Sequence, residues 1–168
     1  MPQKLDFFVR FRYPRLFQGF AMKITAQEEY GLRCIIQLAS APPGETFTVA
    51  EVARREGLSV AYVAKLLRIL GKAGLARSQR GIKGGYALAR PPAQITLGDV
   101  GRALGAIQTP SDICHRYTGN MKTCVHDWDC GIRPIWQGIT QYVLGVLDGI
   151  PISQVLCKDK LVQLSPQA

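Results

Sequence analysis

The chain of 168 residues is 47% apolar and 20% charged, the proportions of one globular domain with a short extension. That composition excludes a disordered chain, a collagen-like repeat and a disulfide-stapled miniprotein. Its 21 Lys and Arg against 12 Asp and Glu give a net charge of +9, which in a compact domain points to a polyanionic partner.

The excess charge is unevenly placed. Residues 1–21 carry +3, residues 22–105 carry +6, and residues 106–168 are neutral. No acidic residue lies between Glu56 and Asp99, whereas Lys65, Arg68, Lys72, Arg77, Arg80, Lys83 and Arg90 all do. Such a window is either a solvated basic face or the footprint of a polyanion, and charge alone does not choose. No apolar run of about 18 residues is present to span a membrane. Residues 1–21 contain scattered Arg and no continuous apolar core, so they do not read as a secretory signal. They are expected to form a poorly ordered extension, with natural translation beginning at Met22. Five cysteines without an export signal fit a reducing cytoplasm, where thiols stay free or bind metal.

From residue 22 the helix signals come in order. Thr25-Ala-Gln-Glu28 is a capping box, and Leu32, Ile35, Ile36 and Ala39 recur at helical spacing until Pro42-Pro43-Gly44 ends the segment. A second box, Thr48 to Glu51, starts a short helix that Gly57 ends, and Ser59 caps a third helix to about Ala73. Its apolar stripe is Val63, Leu66, Leu67 and Leu70, and Ala53 is small where two helices would cross. Two short helices joined by a Gly-containing turn form the helix-turn-helix pattern.

After Gly74, strands over residues 75–80 and 86–90 flank the turn Gly81-Ile-Lys-Gly-Gly85, the pattern of a β-hairpin wing. Gly81, Gly84 and Gly85 are expected to leave main-chain N–H groups uncovered beside Arg80 and Lys83, facing phosphate. The turn has neither Walker nor GxGxxG spacing, which excludes a nucleotide loop. Pro91-Pro92 ends the hairpin, and Thr96 to about Gly105 reads as one more short helix. No period holds over residues 107–133. A last helix from about Pro134 to Leu147 places Trp136, Ile139 and Val143 on one side, widened by Ile135 and Tyr142. So apolar a surface helix calls for a helical partner, most simply its copy in a second subunit.

Two sets of residues carry chemistry. The third helix is the candidate recognition helix: Ser59, Tyr62 and Lys65 near its start would meet base edges in a major groove, with Arg68 and Lys72 following. Cys114, Cys124 and Cys130 are spaced C-x9-C-x5-C. Three soft donors suit iron–sulfur or zinc, although the C-x2-4-C pairs of zinc fingers are absent. Metal binding and free thiols both fit. A fourth donor would come from His115, His126, Asp127, Asp129 or a carboxylate elsewhere in the fold. Cys34, beside Ile35 and Ile36, reads as a small buried hydrophobe, and Cys157 is given no role. No nucleophile elbow, CxxC redox pair or other catalytic motif is present to suggest an enzyme.

The segment from Met22 to Arg33, the helix-turn-helix through Leu58-Ser-Val-Ala-Tyr62, the wing Arg80-Gly-Ile-Lys-Gly-Gly-Tyr86 and the cysteine trio together resemble the Rrf-two family of bacterial winged-helix regulators, over residues 22–156. The resemblance implies a mainly α-helical fold. Residues 22–105 would form a winged helix-turn-helix DNA-binding domain, 106–133 a cysteine loop, 134–156 the dimerisation helix and its end, and 157–168 a flexible tail. It implies a homodimeric transcription factor on a duplex DNA operator, sensing iron, redox or nitric oxide status through a [2Fe–2S] or [4Fe–4S] cluster. By position, Cys114, Cys124 and Cys130 match the cluster cysteines, and Glu29 matches an acidic ligand given by the other subunit. Ser59, Tyr62 and Arg80 match DNA contacts, to which the basic pattern adds Lys65, Arg68 and Lys83 and the wing turn adds Gly84. The chain departs from the family in its nine-residue first cysteine interval, and in Arg133, which stands where some members carry a histidine ligand. The alternative is a winged-helix regulator that works through thiols or zinc, without a cluster.

Overall fold

The computed structural model describes residues 24–81, 84–105 and 110–156. In chain order they form helices α1 (Ala26–Ala39), α2 (Val49–Glu56) and α3 (Val60–Lys72), strands β1 (Ala76–Gln79) and β2 (Gly85–Leu88), a 3₁₀ turn (Pro92–Gln94), and helices α4 (Leu97–Leu104), α5 (Pro110–Arg116), α6 (Arg133–Asp148) and α7 (Ile152–Leu156). The expected extension (1–21), tail (157–168) and Lys83 lie outside the described residues.

Local capping sets the helix starts. At Thr25, Thr48 and Thr96 the side chain accepts from the backbone N–H three residues on, while the Glu or Asp there accepts from the cap's own N–H. Gly57 ends α2 at φ 66°, a left-handed conformation that strains any side chain, so the turn into α3 depends on it.

The core is built where these helices cross. Cys34, Ile35 and Leu38 of α1 and Val52 and Ala53 of α2 close on Val63, Leu66, Leu67 and Leu70 of α3. Each fully buried aliphatic contributes about 1.5–3 kcal/mol relative to exposure. Val100 and Leu104 of α4, with Ile95 and Ile152, extend this core toward the end of the chain.

The hairpin pairs Ala76 with Leu88 and Gln79 with Gly85, so Gly85 belongs to the strand and not to the turn. A third segment joins it: the Phe47 N–H donates to the Tyr86 carbonyl (3.0 Å) and the Tyr86 N–H to that of Phe47 (2.8 Å). This bridge anchors the wing to the residue just ahead of α2. It also corrects the expected role of the wing glycines. The Gly84 N–H is not uncovered, since it donates to the Gly81 carbonyl at 2.8 Å. A β-carbon at Gly84 would lie 2.7 Å from the Gln79 and Gly81 carbonyl oxygens, and one at Gly85 would lie 2.7 Å from the Phe47 oxygen. These glycines are needed for close backbone packing.

Helix α6 stands apart from the core and has no buried residue. Its C-terminal end is locked to the winged head. Arg102 of α4 donates twice to Asp148 (2.7 and 3.0 Å) and once to Asp99 (3.0 Å). The chain then bridges Thr96 with Pro151, which seats Ile150 and Ile152 in the core. Helix α5 falls where the sequence shows no period, and the short α7 was likewise not marked by any sequence signal.

Candidate nucleic-acid interface and cysteine segment

The start of α3 is organised by Ser59, whose hydroxyl accepts from the Tyr62 N–H at 3.3 Å. Lys65 and Arg68 of α3 are exposed, as is Arg80 at the wing. Among the described residues none of these three makes an ion pair, whereas Arg33, Arg90, Arg102 and Arg133 are each paired with a carboxylate. Arg68 and Arg80 therefore keep their charge free for an external anion; Lys65 does too, with its ammonium 5.8 Å from the Tyr62 ring centroid.

Tyr62, one of the residues expected to meet base edges, also packs on α1. It is half-buried, and its ring meets that of Tyr30 edge to face at 6.1 Å and 85°. Sequence reasoning also missed Arg55, whose guanidinium lies 4.1 Å from the Phe47 ring centroid and so ties α2 to the root of the wing. Only the basic pair Arg54-Arg55 at the end of α2 hinted at it.

The cysteine segment forms a second site. A cleft of about 270 Å³ between α5 and the start of α6 is lined by Cys114, His115, Thr118, Cys124, Asp127 and Arg133, among others. Arg133 bridges its walls, donating to the Asp127 carboxylate (2.8 Å) and carbonyl (3.2 Å). Hydrogen bonding to the Cys114 sulfur, and then to Asp127, raises the Arg133 guanidinium above its ordinary pKa. Cys114, Cys124 and Cys130 are partly exposed free thiols, the right donors for a soft metal. They are not gathered: among the described residues no three His, Cys, Asp or Glu side chains converge on a point a metal ion could occupy. Glu29 lies exposed in the first turn of α1, where its charge acts on Arg33. Cys34 is fully buried in the core, and burial pushes its thiol up to about 11.

Comparison with known proteins places this helix-turn-helix and wing in a family. A family profile described as "Rrf2: Iron-dependent Transcriptional regulator" matches residues 24–158. The chain belongs to the Rrf2 family. Protein rrf2 of Nitratidesulfovibrio vulgaris is 30% identical over 152 residues, covering 88% of this chain and 99% of the relative. The HTH-type transcriptional regulator IscR of Aliivibrio salmonicida is 28% identical, covering 86% and 83%. Among solved structures, CymR, the global cysteine regulator of B. subtilis, superposes with a TM-score of 0.63 at 29% identity, covering 82% of this chain and 98% of that one. IscR of T. potens gives 0.63 at 28%, covering 90% and 96%.

This Rrf2 protein is accordingly a DNA-binding transcriptional regulator of winged-helix fold and not an enzyme. None of its described helices is long and apolar enough to cross a membrane.

Proposed function

We propose that this Rrf2 regulator acts in the cytoplasm as a homodimer on a duplex DNA operator, and that an iron–sulfur cluster on its cysteine segment sets its DNA affinity. The observation that carries the DNA reading is the set of unpaired cations: Lys65 and Arg68 on α3 and Arg80 at the wing face outward from elements that pack on each other through Leu75 and Phe47. In a winged-helix head that set is an electrostatic footprint for phosphate. Ser59 and Tyr62 stand at the base-reading end of α3 and Gly84 lies in the wing turn, and Lys83 is added from the sequence. The exposed apolar face of α6, Ile135, Trp136, Ile139 and Tyr142, supports pairing with a second copy.

Cys114, Cys124 and Cys130 would hold the cluster, with the partner subunit's Glu29 as a fourth donor. When bound, such a group supplies a centre whose charge and ligation respond to iron, oxidants or nitric oxide. The chain's own part is to connect that segment to DNA. Arg133 ties Asp127, in the cysteine segment, to the start of α6, and Arg102 ties the end of α6 to the winged head through Asp148. A thiol-based regulator without a cluster is the second reading. It is favoured by the three partly exposed free thiols, which do not converge on one point among the described residues.

Anaerobic reconstitution with iron and sulfide tests both. The cluster reading expects stoichiometric iron and sulfide with visible absorption, lost in Cys114→Ser, Cys124→Ser and Cys130→Ser. A colourless, iron-free protein that still binds DNA in a thiol-dependent way selects the second reading. For the DNA face, Arg80→Ala, which removes one cation from each subunit of the dimer, is expected to flatten the salt dependence of duplex binding by about 1.8 in the log–log slope. An unchanged slope removes Arg80 from the interface.

A further inference from the structure

Tyr62 stands at the end of a chain of contacts that begins where α1 meets the end of α2. Arg33, in the middle of α1, donates from Nε to the Glu56 carboxylate at 2.6 Å and from Nη2 to the Glu56 main-chain carbonyl at 3.0 Å. Glu56 is the last residue of α2, immediately before the Gly57 turn into α3. A guanidinium there satisfies a carbonyl that the helix end leaves free and opposes the negative end of its dipole. The Glu56 side chain is only 8% exposed, and Arg33 is the ion-pair partner it meets there.

The same guanidinium lies 5.4 Å from the Tyr30 ring centroid, Tyr30 abuts Tyr62 edge to face, and the Lys65 ammonium lies 5.8 Å from the Tyr62 ring centroid. Five side chains thus run Glu56, Arg33, Tyr30, Tyr62, Lys65 across the turn of the helix-turn-helix. Their far end is two of the residues assigned above to DNA.

Resting on that DNA assignment, we infer that Arg33 and Tyr30 are positioning residues for sequence reading by α3, fixing the Tyr62 ring and the first turn of the helix without touching DNA. Arg33 suits this role because its charge is already engaged by Glu56. Only a planar fork reaches the carboxylate, the carbonyl and the ring face together, and a lysine point charge does not. Tyr30 carries the constraint across, because its ring is in contact with Tyr62 whereas Arg33 is not.

The test uses the full-length protein, its Arg33→Lys and Tyr30→Leu variants, and in vitro selection from random-sequence 40-base-pair duplexes. The unaltered protein should enrich a defined sequence. Both variants should lose about tenfold in the ratio of affinities for that sequence over a mixed-sequence duplex. Their salt slope on the mixed duplex should stay unchanged, because no phosphate contact is removed. In a Tyr62→Ala background, Arg33→Lys should lower the ratio no further; a purely structural defect would still add, and would weaken both duplexes alike.

Tyr30→Leu leaves the Arg33–Glu56 pair in place, so it carries the test if Arg33→Lys fails to fold. A preference unchanged in the folded variants overturns the inference while leaving the DNA assignment standing. A salt slope lowered by nearly two in Arg33→Gln, which removes the charge from both subunits of the dimer, overturns it by making Arg33 a phosphate contact. Failure of the unaltered protein to enrich any sequence overturns the DNA assignment itself and the inference with it.

Discussion

At Gly85 the wing leaves no room for a side chain. A β-carbon would lie 2.7 Å from the Phe47 carbonyl oxygen and 2.8 Å from the Thr46 hydroxyl, and backbone cannot swing aside as a long side chain would. Gly85→Ala is therefore expected to part the Phe47–Tyr86 bridge and destabilise the fold by about 1–3 kcal/mol in urea unfolding. DNA binding should weaken with it, because the wing loses its attachment to α2. Cys34 makes a contrast with the other thiols. Burial raises its pKa to about 11, so near neutral pH it stays a protonated, enclosed thiol. Maleimide labelling of the native apoprotein, read by peptide mass spectrometry, is expected to modify Cys114, Cys124 and Cys130 and to spare Cys34 until the fold is opened with denaturant.

At the scale of elements, the two ends of α6 are fastened differently. The start is held by Arg133 on exposed loop groups, while the end is held by Arg102 on Asp148 and by the buried Ile150 and Ile152. Arg102 also contacts Asp99, which caps α4. Burial pushes the Asp99 carboxyl up, but the Thr96 N–H together with Arg102 and Arg90 outweigh it and leave the pKa below the ordinary aspartate value. A carboxylate depressed in the folded state stabilises above its unfolded pKa, and that contribution disappears as pH falls through the folded value. Asp99→Asn is thus expected to lower stability by about 0.5–2 kcal/mol at neutral pH. The gap in urea midpoint between variant and parent should close as the pH is taken below the usual aspartate range. A gap that widens in acid would contradict the cap and its ion pair. These element boundaries were legible in the sequence because a capping box spans one helical turn. Helix α5 was not, because the segment around it shows no apolar period and packs mainly on α6.

For the molecule as a whole, the unresolved balance is apolar surface. Ile135, Trp136, Ile139 and Tyr142 are 45–59% exposed along one helix, and Ile132 precedes them at 60%. A stripe of that size on one face is what a second copy of α6 would cover. Trp136→Glu with Ile139→Glu is expected to give a monomer by light scattering. Its head should remain folded, because the core lies elsewhere, and its affinity for duplex DNA should fall at least tenfold through loss of the second half-site. A dimer that survives both charges places the partner contact on another face.

The charge of +9 divides along the same lines as the structure. The surplus over residues 22–105 sits on the winged head, where Lys65, Arg68 and Arg80 remain unpaired among the described residues. In the neutral segment from 106 onward, Arg133 at the start of α6 pairs with Asp127 of the preceding loop, and Asp148 at its end meets the head at Arg102.

The sequence by itself determined where α1 to α4 begin and end, that a hairpin follows α3, and that three thiols share one segment. Caps, helical periodicity and turn glycines act over a few residues, so they can be read from neighbours in the chain. Only the tertiary structure decided that Tyr62 packs on Tyr30, that Arg33 pairs with Glu56 at a separation of 23 residues, and that Arg102 reaches Asp148 at a separation of 46. It also decided that Phe47 completes the wing and that Gly84 and Gly85 lie too close to neighbouring backbone to carry a side chain. Those contacts depend on which helices cross and at what distance, and such packing leaves no periodic or capping signal in the chain.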